Sequence, residues 1–174
     1  MSQAAVIAQE TAQRIEQLFT RFGRDSVEII KTNMRKADQV ATGETMNSLK
    51  YKATPSSLVV SGKQYIWALE TGRKPYQGGN KRGFADKLLR WMQAKGISSM
   101  PNKTDEQTAR FFAWYINKFG SKLYREGGRT DIITPIFAPQ RFRKLNKDLQ
   151  LITVTSVTQL VRGYVQSVNQ NQNA

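Results

Sequence analysis

Two Thr-Gly corners, Thr42-Gly43 and Thr71-Gly72, bracket a stretch patterned for strands, while long helical periodicities lie outside them. Leu49-Lys50-Tyr51-Lys52 alternates large apolar with charged side chains, Thr54-Pro55-Ser56-Ser57 reads as a turn, and Leu58 to Ser61 reads as the returning strand. Two strands are marginal alone, so the hairpin must lie on helices or extend into a sheet, with a further strand expected near Ile132 to Phe137. The fold class that follows is α+β: a small antiparallel sheet flanked by long N- and C-terminal helices, with a helical insertion.

The flanking helices are read from their apolar spacing. Ile15, Leu18 and Phe22 mark an amphipathic helix from Ala4. At Gly23-Arg24-Asp25 the spacing slips, and Asp25 with Glu28 resembles a capping box for a second face of Val27, Ile30 and Met34. Either two helices or one kinked helix fills 4–36. From Pro139 the last helix carries Phe142, Leu145, Leu149 and Ile152 in heptad-like spacing, then Val157, Val161, Tyr164 and Val168. Its length suits packing on the N-terminal helix, and the Asn/Gln-rich tail 169–174 has no apolar anchor.

Between these, Tyr65 to Glu70 suits a short helix packing Tyr65, Leu69 and Trp67 under the sheet, with Gly72 ending it. Phe84 to Lys95 is helical and stops at Gly96; Thr104-Asp105 caps a helix carrying Phe111, Phe112, Trp114, Tyr115, Ile116 and Phe119, closed by Gly120. Those aromatics exceed one narrow helix face. Either the helix is buried on several sides, or Phe112 or Trp114 projects into a partner. Residues 73–83 and 121–134 read as exposed basic loops.

A length of 174 residues suits one domain, 1–174, large enough for its own core. Cysteine and histidine are both absent, which removes thiolate and imidazole metal ligands, the usual general base near neutral pH and the common nucleophile pairs. Asp105 and Glu106 suit a helix start, and Glu126 and Asp131 lie among arginines, so no carboxylate pair suggests catalysis. Glu70, before a glycine corner, is the acid expected to be buried against Arg73 or a backbone donor. The expectation is no enzyme, with no catalytic, metal or cofactor-binding residues. No apolar run approaches the roughly 20 residues of a membrane span, and Gln9, Glu10, Gln13 and Arg14 interrupt any signal-peptide pattern, so a soluble, unexported protein is expected.

A net charge of +14 directs the molecule toward polyanions or acidic protein surfaces. Arg73, Lys74, Lys81 and Arg82, with Gly78, Gly79 and Gly83, form the first candidate contact, either with phosphates or with an adjacent subunit. The GK[ST] ending of a nucleotide-binding loop is missing. Arg125, Arg129, Arg141, Arg143 and Lys144 form the second; positive charge at a helix start opposes its dipole, so an acidic partner is expected at Arg141, Arg143 and Lys144.

The segment Thr42-Gly43-Glu44-Thr45-Met46-Asn47-Ser48-Leu49, the hairpin, and then Tyr65-Ile66-Trp67-Ala68-Leu69-Glu70-Thr71-Gly72 resemble, in order and spacing, the tail-completion and minor tail (head-tail joining) proteins of tailed bacteriophages. The resemblance covers about a third of the chain. Met46 stands for a leucine-like residue, Leu69 for a valine and Thr71 for a frequent aromatic, and the helices from Phe84 to Gly120 replace a short connection. It implies that Thr42, Gly43, Ser48, Tyr65, Glu70 and Gly72 are fold-signature residues. It also implies a virion structural protein at the head-tail junction, neck or top of the tail, made in the host bacterial cytoplasm. Such a protein assembles as a homo-oligomeric ring with connector and tail components, and its basic loops meet either an acidic neighbour or DNA in the channel. The alternative is a basic nucleic-acid-binding protein using the same loops; against it, the aromatics cluster on one helix rather than interleave with lysine and arginine.

Overall fold

The computed structural model describes residues 2–76 and 83–172. Among them are α1 (Gln3–Lys36), α2 (Glu44–Asn47), β1 (Lys50–Thr54), β2 (Ser57–Ser61), α3 (Ala68–Thr71), α4 (Phe84–Lys95), α5 (Asp105–Phe119), α6 (Lys122–Arg125), a 3₁₀ turn (Thr134–Phe137) and α7 (Pro139–Gln172). This is an α+β arrangement with a two-stranded antiparallel sheet and long terminal helices. The chain divides into two compact units, one made of Met1–Glu28, Lys50–Ser61 and Ile136–Ala174, the other of Ile29–Leu49 and Gly62–Pro135.

In the first unit α1 runs unbroken through Gly23, so Asp25 and Glu28 lie within the helix rather than at a new cap. An interior glycine costs about 1 kcal/mol of helix propensity. Packing explains its presence: a Cβ at Gly23 would stand 2.8 Å from Leu58 Cδ1 and 2.9 Å from Tyr51 Cδ2. The hairpin therefore sits directly on the helix backbone. Its register pairs Tyr51 with Val60 and Ala53 with Leu58, around a Pro55-Ser56 loop.

Helix α7 runs antiparallel to α1. Phe142 meets Phe22 edge-on at 5.7 Å, Thr11 donates to Ser156 Oγ at 2.6 Å, and Gly163 leaves room for the Gln3 side chain. Leu145, Leu149, Ile152 and Ser156 form the covered face, at heptad-like spacing. The continuation expected through Val157, Val161 and Tyr164 is not covered: all three are exposed.

In the second unit α4 and α5 pack closely, helped by the small buried residues Thr108, Ala109 and Ala113 of α5; Met92 of α4 is fully buried. A capping box starts α5, in which Thr104 Oγ1 accepts from Gln107 N–H and the Gln107 side chain accepts from Thr104 N–H. Gly96, left-handed at φ 64°, ends α4.

Three expectations are corrected here. No third strand forms among the described residues, and 134–137 is a 3₁₀ turn instead. The N–H groups of Ile132, Ile133 and Thr134 all donate to Glu70, and Pro135 has none, so four successive residues of the segment have no ladder donor to offer. The segment 121–134 is not all loop, because Ser121 caps α6 by accepting from Tyr124 N–H. Tyr65 and Trp67, expected to be packed side chains of a short helix, are not buried: regular helix begins only at Ala68, and both side chains are about half exposed.

Candidate interaction surfaces

The signature residues of the two Thr-Gly segments build a polar framework in the second unit. Gly43 takes φ 75° to open α2, and Thr42 Oγ1 lies 3.5 Å from the Glu44 N–H. Ser48 Oγ donates to Thr45 O at 2.7 Å and accepts from Lys63 N–H at 3.0 Å, which joins a position shortly before the hairpin's first strand to one shortly after its second.

Glu70 is 4% exposed and its carboxylate is fully engaged. Oε1 accepts from the N–H groups of Ile132, Ile133 and Thr134 at 2.8, 2.6 and 2.9 Å, and Oε2 accepts from Thr134 Oγ1 at 2.8 Å. Successive N–H groups turned to one point form an anion-binding concavity, here filled by the protein's own side chain. Burial pushes the carboxyl upward, but the hydrogen bonds from Thr134, Ile133 and Ile132 outweigh it and hold the group below the ordinary glutamate value. With both oxygens held by internal donors, Glu70 is a clamp. It grips backbone donors and not Arg73.

The adjoining glycine is demanded by geometry. Gly72 has φ 69° and ψ 178°, a region essentially closed to other residues, and a Cβ there would stand 2.3 Å from Tyr124 N. Arg73 and Ser121 then exchange bonds, Arg73 N–H to Ser121 Oγ and Ser121 N–H to Arg73 O, both at 2.9 Å.

The cations expected at partner-facing positions divide into two sets. Arg73 is turned inward, its guanidinium 3.7 Å from the centroid of the Phe84 ring and donating to Asn117 Oδ1 at 3.1 Å. Arg129 is paired with Asp131 at 2.5 Å and 2.7 Å. Arg141 lies over the Phe22 ring and donates to Ser26 Oγ at 3.0 Å, with Nη1 buried and unpaired. Lys74, Arg125, Arg143 and Lys144 are exposed. Lys81 and Arg82 lie outside the described residues.

The aromatic residues of α5 form an outward patch. Trp114 is 50% exposed and Phe112 half-buried; Phe111, Tyr115 and Phe119 complete a run of ring contacts around Trp114. Cations lie among them, with Lys118 Nζ 5.2 Å from the centroids of both Trp114 and Phe119, and Arg125 donating to Tyr115 Oη at 3.1 Å. Sequence reading separated the aromatics from the cations; helical spacing and the α6 turn bring them together. Elsewhere in this unit a cleft of about 640 Å³ is lined by Thr42, Gly43, Tyr65, Arg73, Lys87 and Arg90, among others.

Among the described residues no group of His, Cys, Asp or Glu is placed to hold a metal ion, and no helix is long and apolar enough to cross a membrane. No family model, no curated protein and no solved structure matches the chain.

Proposed function

We propose that this chain is a structural protein of a tailed-phage virion, at the head-tail junction or top of the tail, which works by assembly and not by chemistry. One observation carries the reading: the residues of the two Thr-Gly segments are engaged in internal bonds, while large apolar side chains on α5 and α7 face outward. Polar groups that satisfy one another, together with large apolar groups left exposed, suit a protein whose partners are other proteins. The exposed Lys74, Arg143 and Lys144 then meet acidic neighbours or the DNA passing through.

The test is the solution mass of the purified chain at about 0.15 M and about 1 M salt, with and without nuclease-treated phage lysate. A ring-sized species, or capture at high salt of proteins identified by mass spectrometry as connector or tail subunits, supports the proposal. A monomer that binds only nucleic acid, and releases it as salt rises, overturns it.

The nucleic-acid reading has its own support in the α5 patch, where Lys118 and Arg125 lie among Trp114, Tyr115 and Phe119. Exposed rings with interleaved cations suit stacking on unpaired bases.

A further inference from the structure

The cleft of the second unit is a braced cavity of mixed chemistry. Residues 39–46 and one face of α4 line it, and its volume of about 640 Å³ falls within the range of ligand pockets. Lys95, near the end of α4, holds the chain where it enters the 39–46 segment. Its Nζ donates to the Asp38 carbonyl at 2.8 Å and to the Asp38 carboxylate at 2.5 Å, and only 17% of the side chain is exposed. At the other end of that segment the bond between Ser48 and Lys63 holds the chain again.

The lining sorts by chemistry. Met34, 1% exposed, carries core surface into the cleft beside Met46, Val40 and Ala68. Flexible thioethers of this kind fit apolar side chains of varied shape. On α4, Phe84, Lys87 and Trp91 stand at i, i+3 and i+7 and so share a face. Trp91 and Tyr65 are 40% and 47% exposed, which leaves aromatic surface open at the cleft.

Four cations and one acid complete the lining. Glu44 lies 3.5 Å from Lys63, and Arg73 is held by the Phe84 ring and Asn117. Lys87 and Arg90 are exposed one turn apart, and among the described residues no ion pair reaches either. Asp86, the acid nearest them on α4, is not part of the lining. An occupant that matches this cleft therefore carries negative charge opposite Lys87 and Arg90 and an apolar group for the methionine surface.

Two carriers of negative charge fit less well. A single-stranded nucleic acid needs a row of cations along its backbone and ring faces for successive bases; here two cations are unpaired, and Arg73 already occupies the Phe84 face. A second copy of this chain has no free acidic segment. Its acids lie in helices or are already paired, Asp38 with Lys95, Glu126 with Lys122 and Asp131 with Arg129.

We propose that the cleft receives an acidic peptide segment of a different protein, with an aromatic or large aliphatic side chain seated on Met34 and Met46 and its carboxylates on Lys87 and Arg90. The inference deepens the assembly role proposed above and rests on it for where the partner is found.

The test selects a bead-displayed library of random peptides on the full chain, then measures the enriched peptides by fluorescence anisotropy at about 0.15 M salt. Enriched sequences should join Asp or Glu to Phe, Tyr, Leu or Met. Replacing either their acids by Asn and Gln, or their apolar residues by Ser, should weaken binding about tenfold or more. Lys87→Ala/Arg90→Ala should do the same, while Lys50→Ala/Lys52→Ala, which removes equal charge from the hairpin, should change affinity less than about twofold. All four positions are exposed, so the fold is retained, which far-UV circular dichroism checks. Enrichment of acids without apolar residues, equal losses in the two double variants, or no enrichment overturns the inference. So does an oligothymidylate whose affinity, in place of a peptide's, depends on Lys87 and Arg90. Peptides that bind the cleft as described, with no connector or tail subunit bound by the chain, would sink the proposed function and leave this inference standing. A ring with tail subunits attached, and no peptide enriched, would do the reverse.

Discussion

The two units are held by different kinds of contact. The second is closed by a buried carboxylate with three backbone donors, by cross-bonds between Arg73 and Ser121, and by a glycine no other residue can replace. The first rests on helix against helix and hairpin against helix, with Thr11 and Ser156 as an inter-helix polar contact and a whole face of α7 left open. Directional polar bonds satisfy themselves and leave a finished fold. Apolar helix faces remain ready for another surface. On the assembly reading proposed above, the second unit would serve as the framework and the first as the adhesive element. It can be tested by probes that separate them, because Trp67, Trp91 and Trp114 all belong to the second unit and fluorescence therefore reports on it alone.

The largest effect is expected at Glu70. Glu70→Ala strands three N–H groups and a hydroxyl, at about 1–3 kcal/mol for each unsatisfied group. A loss of roughly 4 kcal/mol or more is a large share of the about 5–15 kcal/mol that holds a domain. The urea midpoint read by tryptophan fluorescence should fall steeply, and an unchanged midpoint would remove the clamp from the account. Glu70→Gln keeps one acceptor oxygen and should cost about 1–2 kcal/mol.

The same site sets a pH dependence. The folded Glu70 carboxyl titrates below its unfolded value, which is about 4.3. Its contribution is therefore complete above that unfolded value and is lost as pH falls through the folded one. Stability by fluorescence should decline below about pH 4.3 in the wild type, and Glu70→Gln should flatten that decline. Asp131 and Glu106 shift in the same direction, through the Arg129 guanidinium and the Thr104 hydroxyl respectively, but both are at the surface and act weakly.

Much of the fold was readable because its signals are local. The Pro55-Ser56 turn, the Thr104–Gln107 box and the glycines after α4 and α5 each act within a few residues of where they stand. Glu70 drew notice by its position before a glycine corner, yet its partners lie more than sixty residues on and no local pattern names them. That long-range demand also cancelled the strand expected at 132–137. Arg73 and Arg141 read as surface charge, but each guanidinium lies over an aromatic ring, a choice made by packing. In α7 the apolar spacing was plain and its occupant was not: α1 covers one stripe, and the stripe that looked like its continuation lies elsewhere on the helix.

Glycine substitutions sharpen the comparison next. Gly72→Ala places a methyl 2.3 Å from Tyr124 N at a φ of 69°, and backbone on the receiving side cannot step away. A loss of about 3 kcal/mol is expected, seen by fluorescence. Gly23→Ala in the first unit meets side-chain atoms, Leu58 Cδ1 and Tyr51 Cδ2, which can partly yield. Helix propensity returns about 1 kcal/mol while overpacking costs about 1–3 kcal/mol, so a net loss near 1 kcal/mol should appear in the far-UV dichroism melt. A stabilised Gly23→Ala protein would mean that the hairpin does not rest on α1 as described.

The smallest effect on stability, and the sharpest on mechanism, belongs to Trp114. Its ring is half exposed and touches mainly neighbours on its own helix, so Trp114→Ala should cost about 1 kcal/mol or less. What it removes is the centre of the α5 patch, an outward aromatic cluster of the second unit. If the patch stacks on unpaired bases, the variant should lose about 1–3 kcal/mol of single-stranded DNA affinity, close to tenfold or more, with the salt slope unchanged because no cation is lost. If the patch faces a protein, DNA affinity stays level and binding to the identified virion partner falls. Either result assigns the patch its contact, and unchanged binding to both would leave the α7 face and the cleft as the molecule's working surfaces.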